Sequence, residues 1–188
     1  MEMHHTFDKE PMYGMTERVR ALRERVRKFV DEKVIPVERV IAKGGEEGER
    51  ILKELQRQAK EEGLWALGLP KEIGGGGLSF MEYVYINEVI GRSEAAMPAL
   101  GTHTAQDAMM LHLYGTSEQK ERWLYPMVRG EINPSIGMTE PDVAGSDPTL
   151  IQTTAYLDGD EWVINGRKWF TTGANKAGGR GGGIASAP

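Results

Sequence analysis

Apolar positions in the first two thirds of the chain recur every three or four residues, which is the spacing of amphipathic helices. In residues 16–34 they form one stripe with Arg and Glu between them, and Pro36 is expected to end this helix. That stripe consists of Val19, Leu22, Val26, Phe29 and Val30. Four further helices are predicted by the same spacing, at residues 49–62, 79–90, 99–113 and 116–130.

Two of the predicted helices begin with a capping box, in which a Ser or Thr side chain accepts a hydrogen bond from the backbone three residues further on. Ser79 with Glu82, and Thr116 with Gln119, have the required spacing. The helix at 99–113 is apolar on most sides and is expected to be buried. Together these five helices can share one core, so the sequence predicts an α-helical domain.

After residue 130 the apolar positions alternate with polar ones, which is the period of a β-strand. Three strands are predicted, at residues 151–157, 161–164 and 167–170. Asp158-Gly159 and Asn165-Gly166 are turn signals that would join them into an antiparallel meander. Three such short strands leave open edges, so the sheet is expected to be incomplete.

The fold class is therefore predicted to be mainly α, with an N-terminal helical bundle followed by an incomplete antiparallel β-sheet or barrel. The predicted division places the helical domain in residues 1–133 and the start of the β domain in residues 134–176. Residues 177–188 are rich in Gly and are expected to form a disordered tail.

The composition of the chain excludes several classes of partner and site. The 188 residues are 39% apolar and 27% charged, as expected of a soluble globular protein. A net charge of −5 argues against nucleic acid as a partner and against binding to an anionic membrane. The absence of Cys excludes disulfides, thiolate metal sites and a cysteine nucleophile. No apolar run is long enough to span a bilayer, and the N-terminus lacks the pattern of a targeting peptide, so a cytoplasmic location is expected.

A glycine run and a pair of histidines are candidate binding sites for a phosphate and for a metal ion. The glycine run at residues 74–77 precedes a helix and could cradle a phosphate, but no phosphate-loop signature accompanies it, so a flexible connection is the favoured interpretation. His103 and His112 are nine residues apart, which does not match a helical metal pair, so no metal site is predicted.

The stretch GMTEPDVAGSDPT at residues 137–149 fits neither a helix nor a strand, and a loop of that length is usually functional or disordered. Its T-E-P and A-G-S-D elements, followed by the segment VINGRKWFTTG at residues 163–173, resemble the flavin-binding signature of the acyl-CoA dehydrogenases. Upstream, GLWALGLPKEIGGGGLSFMEYVYINEVIGRSE and YGTSEQKERWLYPMVRGEI resemble the helical N-terminal domain of the same family, in the same order.

The resemblance implies that FAD binds where the helical domain meets the middle β domain. Met138 and Thr139 would contact the flavin ring, and Gly145 would allow close approach of the backbone. Ser146 would contact the pyrophosphate region or the acyl-CoA substrate. Phe170 would pack on the flavin, and Thr172 would reach its N5 atom. The full set of cofactor-binding residues carried over from the family is Ile136, Met138, Thr139, Gly145, Ser146, Phe170, Thr171 and Thr172.

The implied activity is that of a flavin-dependent oxidoreductase in fatty acid metabolism, which dehydrogenates an acyl-CoA thioester between its α and β carbons. In the family a glutamate removes the α-proton and the β-hydrogen leaves as hydride to the flavin. That glutamate lies in or near a C-terminal helical domain that this chain is expected to lack, so no catalytic residue is assigned. The chain is therefore expected to be a truncated form, inactive alone.

The resemblance also implies partners, namely an electron-transfer flavoprotein or a similar acceptor. Family members are homo-oligomers, held together by their C-terminal helices. Without those helices, we expect weak or altered self-association and an exposed apolar patch on the helical domain. The alternative is a non-catalytic helical binding module with a β-hairpin attached to it.

Overall fold

The computed structural model of the chain describes residues 15–174 and the backbone of Ala185–Ser186. The chain divides into two compact units, with the boundary between Tyr114 and Gly115. The sequence-based division at residues 133 and 134 remains a prediction. Each unit is described below by itself.

The first helix of the N-terminal unit is not ended by Pro36, contrary to the prediction. Helix α1, Glu17–Phe29, leads through a π-helical turn, Val30–Val34, and a 3-10 turn, Ile35–Val37, into α2, Glu38–Lys43. In the π-helical turn the Ile35 N–H donates to the carbonyl of Val30, five residues back. This wider turn accommodates the proline ring, which would clash in a regular α-helix.

Two further helices follow the predicted pattern. Helix α3, Gly45–Glu61, begins four residues before the predicted position. Helix α4, Phe80–Ile90, has the predicted capping box, because the Ser79 hydroxyl accepts from the Glu82 N–H at 3.3 Å and the Glu82 carboxylate accepts from the Ser79 N–H at 2.9 Å.

The single helix predicted at 99–113 is instead two helices, α5, Ala96–Ala99, and α6, Ala105–Tyr114. Gly101 separates them with a φ of +68°, and a Cβ there would lie 2.6 Å from the Trp65 ring. The chain therefore turns closely against an aromatic side chain at a point that only glycine accommodates. Burial on most sides is also wrong for α6, since its last residue, Tyr114, is 82% exposed.

The core of the N-terminal unit is apolar, and helices α1, α3 and α4 contribute most of it. Its largest side chains, which are almost fully buried, include those of Phe29, Leu64, Ile86, Ile90 and Leu100. The stripe predicted for the first helix supplies much of it, since Val19, Val26 and Val30 are completely buried.

The glycine run at residues 74–77 is neither a phosphate cradle nor a flexible connection. The N–H groups of Gly75, Gly76 and Gly77 donate to backbone carbonyls of the preceding loop at 2.8–3.0 Å. These donors are therefore already used within the chain. A Cβ at Gly76 would lie 2.7 Å from the Cα of Leu67, so the loop is packed backbone against backbone.

The second unit begins with a short helical segment and continues with small strands. The capping box of Thr116 and Gln119 is confirmed. The elements of this unit are α7, Ser117–Gln119, a π-helical turn, Lys120–Leu124, α8, Tyr125–Val128, β1, Ser135–Ile136, a 3-10 turn, Pro148–Leu150, β2, Thr154–Asp158, β3, Glu161–Asn165, and β4, Ala185–Ser186.

Strands β2 and β3 form the predicted antiparallel hairpin, with Asp158 opposite Glu161 at its turn. The third strand of the predicted meander is absent from the described residues. Residues 167–170 do not continue from a hairpin turn at Asn165-Gly166, because the Trp169 N–H donates to the carbonyl of Thr139 instead.

Strands β1 and β4 form a separate parallel pair, in which Ser135 is opposite Ala185. Strand β4 falls within the segment predicted to be a disordered tail, and the rest of that segment lies outside the described residues. Among the described residues, no helix combines the length and the apolar character needed to cross a membrane.

Candidate functional site

The loop and the segment singled out in the sequence lie side by side in the second unit. The Trp169 N–H donates to the carbonyl of Thr139 at 3.0 Å, and the Ser135 hydroxyl donates to the carbonyl of Thr172 at 2.8 Å. Ser135 is buried, so its hydrogen bond is shielded from water. These two hydrogen bonds join the T-E-P loop, and the strand β1 that precedes it, to the W-F-T-T segment at residues 169–172.

A buried carboxylate, that of Glu140, lies at the centre of this arrangement. It accepts hydrogen bonds from the N–H groups of Gln152 and Thr153 at 2.7 and 2.9 Å, and from the Thr153 hydroxyl at 2.5 Å. The Lys168 ammonium lies 2.9 Å from the same carboxylate and also donates to the carbonyl of Met138 at 3.0 Å.

These donors favour the ionised form of the carboxylate. The Thr153 hydroxyl, the Gln152 N–H and the Lys168 ammonium together lower the pKa of Glu140 to about 2. The side chain is only 5% exposed, so it is a buried charge that its surroundings neutralise. Two of its donors are backbone N–H groups just before β2, which is why that strand begins at Thr154 and not at the predicted residue 151.

Two further carboxylates organise the exposed part of the loop. Asp142 forms a 2.7 Å ion pair with Arg167, and both side chains are largely exposed. Asp147 accepts from the N–H and the hydroxyl of Thr149 at 3.0 and 2.6 Å, which lowers the pKa of Asp147. Both of these acids therefore have a partner within the second unit.

The residues carried over from the family lie mostly on the surface of this unit. Thr139 and Thr171 are half-buried. The exposed ones are Ile136, Met138, Gly145, Ser146, Phe170 and Thr172. Gly145 lies beside Thr139, since a Cβ at Gly145 would be 3.6 Å from the Thr139 methyl group. That is an ordinary contact distance, so the chain itself does not require glycine at this position.

Phe170 has an unusual conformation that the sequence did not indicate. Its φ is +51°, in the left-handed region that non-glycine residues seldom adopt, and its side chain is 81% exposed. Its ring lies 4.9 Å from that of Trp169. Strain of this kind is common at functional sites, and here it presents an aromatic ring to the surface.

The chemistry of this surface fits a flat conjugated ring with polar edges. The second unit carries the hydroxyl groups of Thr139, Ser146, Thr171 and Thr172 and the exposed aromatic ring of Phe170. Hydroxyls both donate and accept hydrogen bonds, and an aromatic face packs on another ring. Throughout the part of the chain that the structure describes, no cluster of His, Asp and Glu could hold a metal ion.

Neither Glu140 nor Lys168 is among the residues that the sequence singled out. The ion pair joins residues that lie 28 positions apart, and no local periodicity predicts such a contact. The available signal was an acid inside a loop that otherwise resembled a binding motif. An acid in such a loop needs a cationic or backbone partner if it is buried.

Comparison with known proteins identifies the family. Residues 16–131 match the family model of the acyl-CoA dehydrogenase N-terminal domain, and residues 135–179 match the model of the acyl-CoA dehydrogenase middle domain. The first match alone covers more than half of the chain. The chain therefore belongs to the acyl-CoA dehydrogenase family.

Individual relatives agree with this assignment. The chain is 40% identical over 161 residues to acyl-CoA dehydrogenase family member 11 of Gallus gallus, covering 80% of this chain and 20% of the relative. It is 37% identical over 163 residues to (2S)-methylsuccinyl-CoA dehydrogenase of Cereibacter sphaeroides, covering 86% of this chain and 29% of the relative.

A solved structure of a Mycobacterium abscessus protein, assigned as an acyl-CoA dehydrogenase, has the same fold. It gives a TM-score of 0.77 at 41% identity, over 86% of this chain and 44% of that one. The chain thus spans less than half the length of these relatives.

Proposed function

We propose that this chain supplies part of the flavin site of an acyl-CoA dehydrogenase. The observation that carries the proposal is the pairing of β1 and the T-E-P loop with the W-F-T-T segment, through the Ser135–Thr172 and Trp169–Thr139 hydrogen bonds. These segments are far apart in sequence, yet they place hydroxyl groups and an exposed aromatic ring on one small unit. Family membership supports flavin-dependent oxidation of acyl-CoA thioesters in general.

In this proposal Met138 and Thr139 would contact the FAD ring, Phe170 would pack on it and Thr172 would reach its N5 atom. Ser146 contacts either the pyrophosphate region or the acyl-CoA. Ile136, Gly145 and Thr171 complete the contact surface. When bound, FAD accepts the hydride removed from the substrate, and the protein contributes orientation and hydrogen bonding.

The substrate class is an acyl-CoA thioester, and the reaction is its α,β-dehydrogenation. The glutamate base of the family has no counterpart in these residues, so the 188-residue chain is proposed to be inactive when assayed alone. The proposed partners are an electron-transfer flavoprotein or a similar acceptor and, in longer members of the family, further copies of the chain.

The first test is flavin binding. After reconstitution with excess FAD and removal of the unbound FAD, purified protein should retain the absorbance of oxidised flavin at about 450 nm. Replacing Phe170 with Ala should weaken FAD binding about tenfold, which corresponds to about 1.4 kcal/mol. Tyr156 is a matched control, because it is another exposed aromatic residue of the same unit and has no proposed role.

The Tyr156→Ala variant should bind FAD as the unaltered chain does. Equal losses in the two variants would contradict the assignment of Phe170. A chain that binds no FAD at all would favour the alternative function, a non-catalytic helical binding module.

The second test is turnover. A dye-coupled assay with short, medium and long acyl-CoA substrates and excess FAD should detect none, because general-base catalysis is worth about 10²–10⁴-fold and its residue has no counterpart here. Turnover at an ordinary enzymatic rate, above about 1 s⁻¹, would show that a base lies within these residues.

A further inference from the structure

The Glu140–Lys168 ion pair does more than neutralise a buried charge. Glu140 belongs to the T-E-P loop and Lys168 to the segment that carries Phe170 and Thr172. Through one ammonium group, Lys168 bonds both the Glu140 carboxylate and the carbonyl of Met138. The pair therefore holds the two segments of the candidate flavin surface at a fixed separation.

The pair is also anchored to the rest of the unit. Gln152 and Thr153, which lead into β2, donate their N–H groups to the Glu140 carboxylate. The loop is thus tied to the hairpin from one side and to the W-F-T-T segment from the other. Glu140 and Lys168 are 5% and 19% exposed, so water cannot easily replace these contacts.

We propose that Glu140 and Lys168 are positioning residues, whose ion pair sets the spacing of the flavin-contacting segments 138–139 and 169–172. This inference rests on the proposed function. Neither side chain is proposed to touch the flavin. Their effect is transmitted through the backbone, most directly through the hydrogen bond from the Trp169 N–H to the Thr139 carbonyl. Trp169 follows Lys168 in sequence, and Thr139 precedes Glu140.

The exposed pair of Asp142 and Arg167 provides a matched control. It joins the same loop to the same segment, with an ion pair of 2.7 Å, but its side chains are 65% and 71% exposed. Exposed pairs contribute little because water and salt screen them. Asp142→Asn and Glu140→Gln therefore make the same chemical change at an exposed and at a buried carboxylate.

The experiment has two readouts, and the first is amide hydrogen exchange without FAD. Glu140→Gln replaces a carboxylate oxygen with an NH₂ group that cannot accept, and it leaves the Lys168 ammonium without its counter-ion. Exchange should accelerate about tenfold or more at Gln152 and Thr153, and also at Trp169, whose hydrogen bond does not involve Glu140 itself. A purely local role would leave the Trp169 amide unchanged, and that result would overturn the inference.

The second readout is the Kd for FAD. It should rise about tenfold in Glu140→Gln and in Lys168→Met, and by less than about threefold in Asp142→Asn. Lys168→Arg keeps the positive charge and should restore most of the affinity lost in Lys168→Met. Unchanged exchange of the amides paired between β2 and β3 confirms that the second unit is still folded in each variant.

The two proposals fail in different ways. If the unaltered chain binds no FAD, the proposed function fails and the flavin role of the pair fails with it, whatever the exchange rates show. If the unaltered chain binds FAD and Glu140→Gln binds it equally well, the positioning role alone is wrong. Equal losses in Glu140→Gln and Asp142→Asn would likewise overturn it, since burial would then be irrelevant.

Discussion

Replacing Gly76 with Ala should destabilise the N-terminal unit severely, although it adds a single methyl group. The new Cβ would lie 2.7 Å from the Cα of Leu67 and 3.0 Å from its carbonyl oxygen. Carbon atoms in ordinary contact are about 3.5–4.0 Å apart, so the two backbone segments would have to separate by roughly 1 Å. No side-chain rotation relieves this clash, because backbone atoms stand on both sides of it.

The size of the effect follows from what that separation disrupts. Overpacking of this kind typically costs about 1–3 kcal/mol. The shift also strains the hydrogen bonds from Gly76 to the Ala66 carbonyl and from Leu78 to the Leu67 carbonyl, of 3.0 and 3.1 Å. Each contributes about 0.5–1.5 kcal/mol. The expected loss in free energy of unfolding is therefore about 2–6 kcal/mol, a large part of the stability of an ordinary domain.

Urea denaturation followed by far-UV circular dichroism measures this loss, and two other glycines serve as controls. Gly63 has a φ of +65° and open space around its Cβ position, so Gly63→Ala should cost only the left-handed conformation, about 1–2 kcal/mol. Gly91 has a φ of −64° and nothing closer than 3.3 Å, so Gly91→Ala should be close to neutral. A Gly76→Ala variant as stable as Gly91→Ala would refute the close packing of this loop.

Further predictions concern caps, core, charge and association. Ser79→Ala removes a capping box and should lower the free energy of unfolding by about 1 kcal/mol in the same urea assay. Ile86→Ala, at a fully buried position, should cost about 2–5 kcal/mol, whereas Met81→Ala, at a side chain that is 61% exposed, should cost little. The pKa of Glu140 is about 2 in the folded protein, below its ordinary value of 4.5. The stability that the ionised carboxylate contributes is therefore complete above pH 4.5 and is lost as the pH falls toward 2. The near-ultraviolet circular dichroism of the unaltered chain should change in that pH range, and this change should be absent from Glu140→Gln. Large apolar side chains are exposed on the N-terminal unit, such as Phe80 at 80%, so light scattering should show weak, concentration-dependent self-association, and a stable tetramer would contradict this.

Features that depend on neighbours in sequence were predicted well. The capping boxes at Ser79 and Thr116 are contacts over three residues, and both are present. The buried stripe of α1 follows directly from the helical period. The prediction that Pro36 ends the first helix was wrong, because a π-helical turn accommodates the ring. That turn depends on the path of the whole helix, which residue spacing alone does not determine.

Features that depend on distant residues were not predictable from local pattern. Residues 167–170 alternate like a strand and follow a strong turn signal, but the Trp169 N–H bonds the Thr139 carbonyl, 30 residues earlier. The resemblance to the family identified both segments of the candidate site, whereas the pairing between them and the buried ion pair of Glu140 and Lys168 came only from the structure. A residue that strand propensity assigns to a sheet can therefore lie outside any strand, because a non-local donor or acceptor competes for its backbone. Among the described residues, that competition accounts for the absence of the strand predicted at residues 167–170. Phe170, which follows Trp169, has a φ of +51°.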